Sequence, residues 1–249
     1  LPANIIQYWV KFYINPANMK ISELFFSIQG EGELTGVPSV FVRTSGCNLR
    51  CRWCDTKYAS WKPEGENVTI NDLLDKVCSY PARHVVISGG EPMIAKGIEE
   101  FVHLLKESGK HITIETAGTI SPNGIQCDLA SLSPKLSDST PNEGDINKEW
   151  IDRHESKRLD YDILSEWVNL YNFQLKFVVS KEEEIKEIQN VISRIEGKIL
   201  PEKVLLMPEG IDPDTLRSRY DLLIDLCKEN GYRLCHRLHI DLFGNTPGT

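Results

Sequence analysis

Apolar and polar positions in this chain follow two alternating rhythms. Runs with apolar residues at every second position, or in short unbroken blocks, predict strands. They cover Ile21–Ile28, Ser39–Thr44, His84–Ser88, His111–Thr116, Cys127–Leu132, Phe173–Ser180, Val204–Met207 and Leu238–Leu242. Runs with apolar residues every three or four positions predict helices. Leu73, Leu74 and Val77 mark one over Ile70–Ser79, and a second covers Ile98–Glu107 with Gly109 as its stop. Ile185, Ile188, Ile192 and Ile195 mark Glu183–Ile195, with Gly197 beyond. Leu216, Tyr220, Leu223 and Cys227 mark Thr215–Glu229, ended by Asn230-Gly231. Glycine is the usual residue just past a helix, because it accepts the left-handed backbone there.

Strands alternating with helices predict repeated βα units and an α/β fold with a mostly parallel sheet. One segment breaks the rhythm: Ser137 to Asp160 is polar and charged and contains Pro141 and Gly144. It reads as a mobile excursion with a helix near Trp150, or as a segment that orders on substrate binding. There is no internal repeat and no low-complexity tract. In parallel sheets the working residues lie at the C-terminal ends of strands. Four polar turns fall there: the loop after Thr44, Gly89-Gly90-Glu91-Pro92, Glu115-Thr116 and Ser133-Pro134-Lys135. They are expected to face one mouth.

Length and composition narrow the class. The 249 residues are 41% hydrophobic and 26% charged, so a sizeable core forms without disulfides. The net charge of −8 argues against non-specific nucleic-acid binding. No apolar stretch approaches the ~20 residues of a membrane span, and the first eighteen residues lack a signal-peptide pattern. Localisation reads as cytoplasmic. Residues 1–18 read as an N-terminal extension or a vector-derived segment before Met19, and residues 19–249 as one domain with the excursion at 137–160.

Seven cysteines at positions 47, 51, 54, 78, 127, 227 and 235 are too uneven for a disulfide framework. Three of them form Cys47-Asn-Leu-Arg-Cys51-Arg-Trp-Cys54. Thiolates at this density point to a soft metal centre. A cubane cluster normally takes four cysteines, so three would leave one iron open to a cofactor. Gly46 lets the backbone turn in, and Trp53 shields the site from water. Zinc is the alternative, with a fourth ligand from Cys78, Cys235 or His236; an electron-transfer module is another. Cys78 and Cys227 lie on helix faces and are expected in the core.

Cys-x₃-Cys-x₂-Cys with an aromatic before the third cysteine, followed by Gly89-Gly90-Glu91-Pro92, resembles the radical S-adenosylmethionine superfamily. Phe26-Ser-Ile-Gln-Gly-Glu-Gly32, Gly36-Val-Pro-Ser-Val-Phe-Val-Arg43, Cys54-Asp55-Thr56 and Leu238-His239-Ile-Asp-Leu-Phe-Gly-Asn245 are similar to the 7-carboxy-7-deazaguanine synthases. The similarity runs over most of Met19 to Thr249, apart from 137–160. It implies a modified, incomplete (βα) radical-SAM barrel, a homodimer, and a lyase in queuosine synthesis, a tRNA modification pathway. The implied reaction converts 6-carboxy-5,6,7,8-tetrahydropterin to 7-carboxy-7-deazaguanine with loss of ammonia. The implied cofactors are a [4Fe–4S] cluster on Cys47, Cys51 and Cys54, S-adenosylmethionine and Mg²⁺. The resemblance also implies an external electron donor such as flavodoxin. A glycyl-radical-enzyme activase is the alternative within the superfamily; Gln29-Gly-Glu-Gly32 and Gly244-Asn245 argue against it.

The resemblance also implies roles. Trp53, Cys54, Asp55, Gly90, Glu91, Glu115, Ser133, Pro134, Lys135, Gln174, Leu175, Lys176 and Phe177 are expected around S-adenosylmethionine. Ile28, Gln29, Gly30, Glu31, Arg43, Ser88, His239 and Thr249 are expected around the pterin, and Thr56 on Mg²⁺. Chemistry agrees at several of these. Gln29 and neighbouring backbone read an amide edge, and Arg43 clamps a carboxylate with paired hydrogen bonds. Read without the resemblance, Arg43 is a surface ion pair, Thr56 a helix cap, Glu115 a satisfied strand-end carboxylate and His239 structural. No nucleophile or acid–base pair stands out, as fits radical chemistry.

Overall fold

The computed structural model describes residues 17–249. Its strands are β1 Asn18–Ile28, β2 Pro38–Thr44, β3 Glu66–Thr69, β4 His84–Gly89, β5 His111–Thr116, β6 Leu129–Leu132, β7 Phe173–Val179, β8 Val204–Pro208 and β9 Arg233–Leu234. The helices are α1 Lys57–Ser60, α2 Ile70–Ser79, α3 Ile98–Glu107, α4 Lys148–Lys157, α5 Tyr161–Leu170, α6 Glu184–Arg194, α7 Pro213–Asn230 and α8 Leu238–Phe243. Among the described residues the strands form one 9-stranded sheet in the order β3-β1-β2-β4-β5-β6-β7-β8-β9. From β2 to β9 the neighbours are parallel; β1 pairs antiparallel with β2 and β3. This is an α/β fold of the modified, incomplete barrel type.

A period of two sorts each parallel strand into two faces. Val40, Val42, Val85, Ile87, Ile112, Ile114, Ala130, Leu132, Leu175, Phe177, Val204 and Leu206 enter one core with the apolar stripes of the helices. Phe101, Leu105, Trp167, Ile188 and Leu223 are their helical partners. The alternate residues Arg43, Ser88, Glu115, Ser131, Lys176 and Met207 line the opposite, concave face. Register aligns them across strands: Arg43 pairs with Ser88, and Glu115 with Ser131.

Several expectations are corrected. Leu238–Phe243 is a helix, not a strand. Its alternation is too short to separate the two periods, and only Ile240 is buried in it. The sheet edge there belongs to Arg233–Leu234. Segment 137–160 holds a turn at Ser137–Ser139 and, as expected near Trp150, helix α4, begun by Asn147, whose side chain accepts from Trp150 N. Helix α5 was unforeseen although Asp160 caps it and Leu164, Trp167 and Val168 recur at helical spacing. Cys78 is exposed on α2 rather than in the core, while Cys227 is buried. The extension over 1–18 lies outside the described residues up to position 16. Asn18 pairs with Thr69 and so belongs to the sheet.

Candidate active site

The loop after β2 carries the three cysteines. Gly46, at φ 111°, turns the chain in a conformation that favours glycine. Cys47, Cys51 and Cys54 line a single cavity of about 280 Å³ at the C-terminal mouth of the sheet. Leu49 N donates to Cys47 Sγ at 3.4 Å, and Ser60 Oγ lies 3.1 Å from Cys54 Sγ. Burial pushes the Cys47 and Cys51 thiols up to about 12, with Glu91 adding to the effect at Cys47. A bound cation would favour their thiolate forms.

The Gly89-Gly90-Glu91-Pro92 turn packs onto the start of this loop. Glu91 N donates to Gly46 O at 2.9 Å and Gly90 N to Thr44 O at 3.2 Å. A Cβ on Gly90 would lie 2.0 Å from Gly46 O and 2.9 Å from Cys47 Cβ, so only glycine permits the approach. Glu91 is buried behind this wall, and its carboxylate accepts from Met93 N, Thr116 Oγ1 and Ala117 N at 3.1, 2.8 and 2.9 Å. Burial raises its pKa, and these donors oppose the rise. Three thiols, one buried and two partly buried, and two glycine turns around one cavity fit an iron–sulfur cluster and a small polar cofactor group beside it.

The candidate fourth zinc ligands are engaged elsewhere. Cys235 Sγ accepts from Gly32 N at 3.2 Å, His236 Nε2 pairs with Asp241 at 2.9 Å, and Cys78 faces solvent. Among the described residues no three His, Cys, Asp or Glu side chains converge on one ion position.

The concave face forms the cavity floor. Arg43 pairs through Nε with Glu23 at 2.5 Å, and Tyr58 donates to the same Glu23 oxygen at 2.7 Å. Gln29 is buried; its Oε1 accepts from Glu31 N at 3.0 Å and its Nε2 donates to Glu115 at 3.2 Å. His239 packs on Gly30, where an added Cβ would lie 2.2 Å from its Nδ1. Glu31 sits between Lys176, Arg237 and His239, 3.0 Å from Arg237 Nε. Burial alone would raise the Glu31 carboxyl, but Lys176, Arg237 and His239 hold it well below its ordinary value. Lys176 is held up by Glu31 and Glu115 against the effect of burial.

Most expected site residues line this cavity: Trp53, Asp55, Thr56, Ser88, Glu115, Ser133, Lys135, Lys176 and Thr249 join those above. Thr56 Oγ1 lies 3.8 Å from Cys54 Sγ, and Lys135 Nζ donates to Ser133 Oγ at 2.7 Å. Ile28, Glu91, Pro134, Gln174, Leu175 and Phe177 do not line it; Glu91 is buried behind the Gly89-Gly90 turn. Ile28 pairs with Pro38 in the sheet, and Gln174 holds Ser131 and the Glu33 amide. The side chains of Leu175 and Phe177 enter the opposite core, because alternation along β7 gives only Lys176 and Val178 to the cavity.

Arg237 went unread in the sequence. It is 7% exposed and ties the floor to the cluster loop, donating to Glu31 and, at 2.5 Å, to Asp55. No local pattern marks it, since those partners lie 206 and 182 residues away.

Segment 137–157 backs the cysteine loop. Arg52 N donates to Ser139 O at 2.7 Å, and Trp53 Nε1 to Asp138 Oδ2 at 2.9 Å. His154 is fully buried; its Nδ1 accepts from Arg50 N at 3.2 Å, and its Nε2 lies 3.0 Å from Ser139 Oγ. Burial pulls His154 down to about 4 from 6.5. The unfolded chain therefore takes up the proton first, and stability is lost as pH falls from about 6.5 towards about 4. Between pH 7 and 5 the cluster-free protein should lose about 2 kcal/mol more than His154→Asn does. Denaturant titrations at the two pH values measure this, and equal losses would sink the assignment.

The profile of the Radical SAM superfamily matches residues 41–126. 7-Carboxy-7-deazaguanine synthase of Rhodopirellula baltica is 47% identical over 234 residues, covering 94% of this chain and 90% of that protein. The synthase of Halobacterium salinarum is 42% identical over 239 residues, covering 93% of each chain. A crystal structure of QueE from Escherichia coli superposes with a TM-score of 0.65 at 26% identity, covering 89% of this chain and 95% of that one.

Proposed function

Because the chain belongs to the 7-carboxy-7-deazaguanine synthase family of radical S-adenosylmethionine enzymes, we propose that it contracts 6-carboxy-5,6,7,8-tetrahydropterin to 7-carboxy-7-deazaguanine with loss of ammonia, on the route to queuosine. The observation that carries the reading is one cavity with three thiols in its wall and Arg43, Gln29 and Glu115 in its floor. Cys47, Cys51 and Cys54 would hold a cluster that, once reduced, would supply an electron for reductive cleavage of S-adenosylmethionine and so a radical able to remove a substrate hydrogen. Trp53 stands against the cluster to exclude water. The backbone of Gly89 and Gly90 takes the methionine amino group, with Glu91 behind it holding the turn in place through Met93 N, Thr116 and Ala117 N, and Ser133 and Lys135 take further polar groups of the cofactor.

In the floor, Arg43 receives the pterin carboxylate, with Glu23 fixing the guanidinium through Nε and leaving its other donors for substrate. Gln29, held by Glu115, presents its amide to the pterin edge, and His239 with the 244–249 segment closes the open side. Thr56 supplies a hard oxygen for Mg²⁺, with water and substrate completing the shell. Residues 19–249 work as one core domain. The enzyme acts in the cytoplasm as a homodimer and takes electrons from a carrier such as flavodoxin; family membership supports these three statements.

Anaerobic incubation of the reconstituted protein with S-adenosylmethionine, reductant and the carboxypterin, followed by mass spectrometry, tests the reaction. Formation of carboxydeazaguanine is expected, and none from a fully loaded enzyme would overturn it. Arg43→Gln removes a charge-assisted contact and should raise KM for the pterin about 10–100-fold, since such hydrogen bonds contribute about 1.5–3 kcal/mol. Steady-state kinetics checks this, and an unchanged KM would return Arg43 to a structural ion pair.

A further inference from the structure

We infer that residues 137–157 form a clasp that sets the cysteine loop in its cluster-binding shape, with His154 as a positioning residue acting through the Arg50 amide. The segment is the most polar part of the chain, yet it docks on the loop at every residue from Arg50 to Trp53 but Cys51. Arg50 N donates to His154 Nδ1 at 3.2 Å, and Arg52 N to Ser139 O at 2.7 Å. Arg52 Nε donates to Asp138 O at 3.1 Å and Trp53 Nε1 to Asp138 Oδ2 at 2.9 Å. These contacts bracket Cys51 on both sides.

The hydrogen bonds run in one direction. Ser139 Oγ donates to Leu136 O at 2.6 Å, so its oxygen is left to accept from His154 Nε2–H at 3.0 Å. That fixes the tautomer with a bare Nδ1, the form able to accept from Arg50 N. Trp150 completes the grip: the Arg50 guanidinium stacks 3.8 Å above its ring while Nη1 donates to Cys47 O and Leu49 O at 2.9 and 2.7 Å. Arg50 thereby gathers the carbonyls of the loop's first turn, and Trp150 keeps water from that guanidinium. Groups behind metal ligands orient them, and their loss typically costs about 10–100-fold in metal affinity or activity.

The inference rests on the three cysteines being the cluster ligands, but its first readout needs no cluster. In cluster-free full-length protein, amide exchange of peptides spanning 47–54 should be slow. His154→Phe should speed it about tenfold, the size expected for one lost hydrogen bond with its coupled partners. His154→Asn, whose amide oxygen replaces the Nδ1 acceptor, should restore it to within about threefold of the parent. In reconstituted protein, iron release to a chelator should quicken about tenfold in His154→Phe and in Trp150→Leu. Trp150→Leu and Ser139→Ala keep the test open if His154→Phe does not fold. Parental exchange and iron-release rates in the variants would overturn the clasp, and so would His154→Asn behaving like His154→Phe. A parent protein that takes up no iron would instead count against the cluster, leaving the exchange result to stand by itself.

Discussion

Alanine at position 51 should leave a folded protein that cleaves no S-adenosylmethionine. Cys51 is 8% exposed, lies between the two other thiols in the loop and is bracketed by the contacts at Arg50 and Arg52. In the proposed site its removal would take one of the three thiol anchors from the cluster. Radical generation depends wholly on that centre, and enzyme rate accelerations begin at about 10⁶-fold, so the loss should be of that order or larger. The stability cost is small by comparison, about 1 kcal/mol, as for an ordinary point substitution. Iron and sulfide content, 5′-deoxyadenosine formation and the thermal midpoint measure the three effects together. Cys227→Ala, in the α7 core, is the control and should keep both cluster and cleavage. Cleavage by Cys51→Ala above a tenth of the parent rate would remove Cys51 from the ligand set.

The largest effect on stability is expected from Lys176→Met. Lys176 and Glu31 have side chains 6% and 13% exposed, and Arg237 adds a second cation at 8%. Breaking a buried pair costs about 3–5 kcal/mol, because the remaining charge is left without full compensation. For a chain of this size that lowers the thermal midpoint by roughly 6–20 °C. Glu31→Gln in the same protein should recover most of the stability, since it removes the stranded charge, but not the pterin-dependent reaction. The sign with pH follows from the depressed Glu31 carboxyl. Its contribution is fully present above about pH 4.5 and is lost as pH falls towards its folded value. A loss below 1 kcal/mol, as for exposed pairs, would show that water reaches this network. Thermal and denaturant unfolding of the two variants decides it.

Leu238–Phe243 alternates like a strand, yet its conformation is set by the dock of Leu238 N on Gly30 O, 208 positions earlier in the chain. Segment 137–157 looked unanchored because it contributes almost no apolar side chain; its buried member in α4 is a histidine. The family resemblance groups Leu175 and Phe177 with Lys176, although alternation sends them to the opposite face. Polar docking is decided by partners that a local pattern does not contain, whereas the facing of Leu175 and Phe177 follows from the alternation itself.

The opposite holds for the cysteine triplet, the glycine turns and the strand–helix rhythm. By itself the sequence determined the α/β class and the spacing of the three thiols and of the Gly-Gly-Glu-Pro turn, because a period of two or 3.6, the thiol spacing and a glycine pair are local properties. Only the tertiary structure decided which polar residues share the floor, that Arg237 ties Glu31 to Asp55, and that α4 grips the cluster loop. Those contacts join residues about 100–200 positions apart, as in Arg50 with His154 and Glu31 with Arg237, and they exist only once the sheet has curved to bring its ends together.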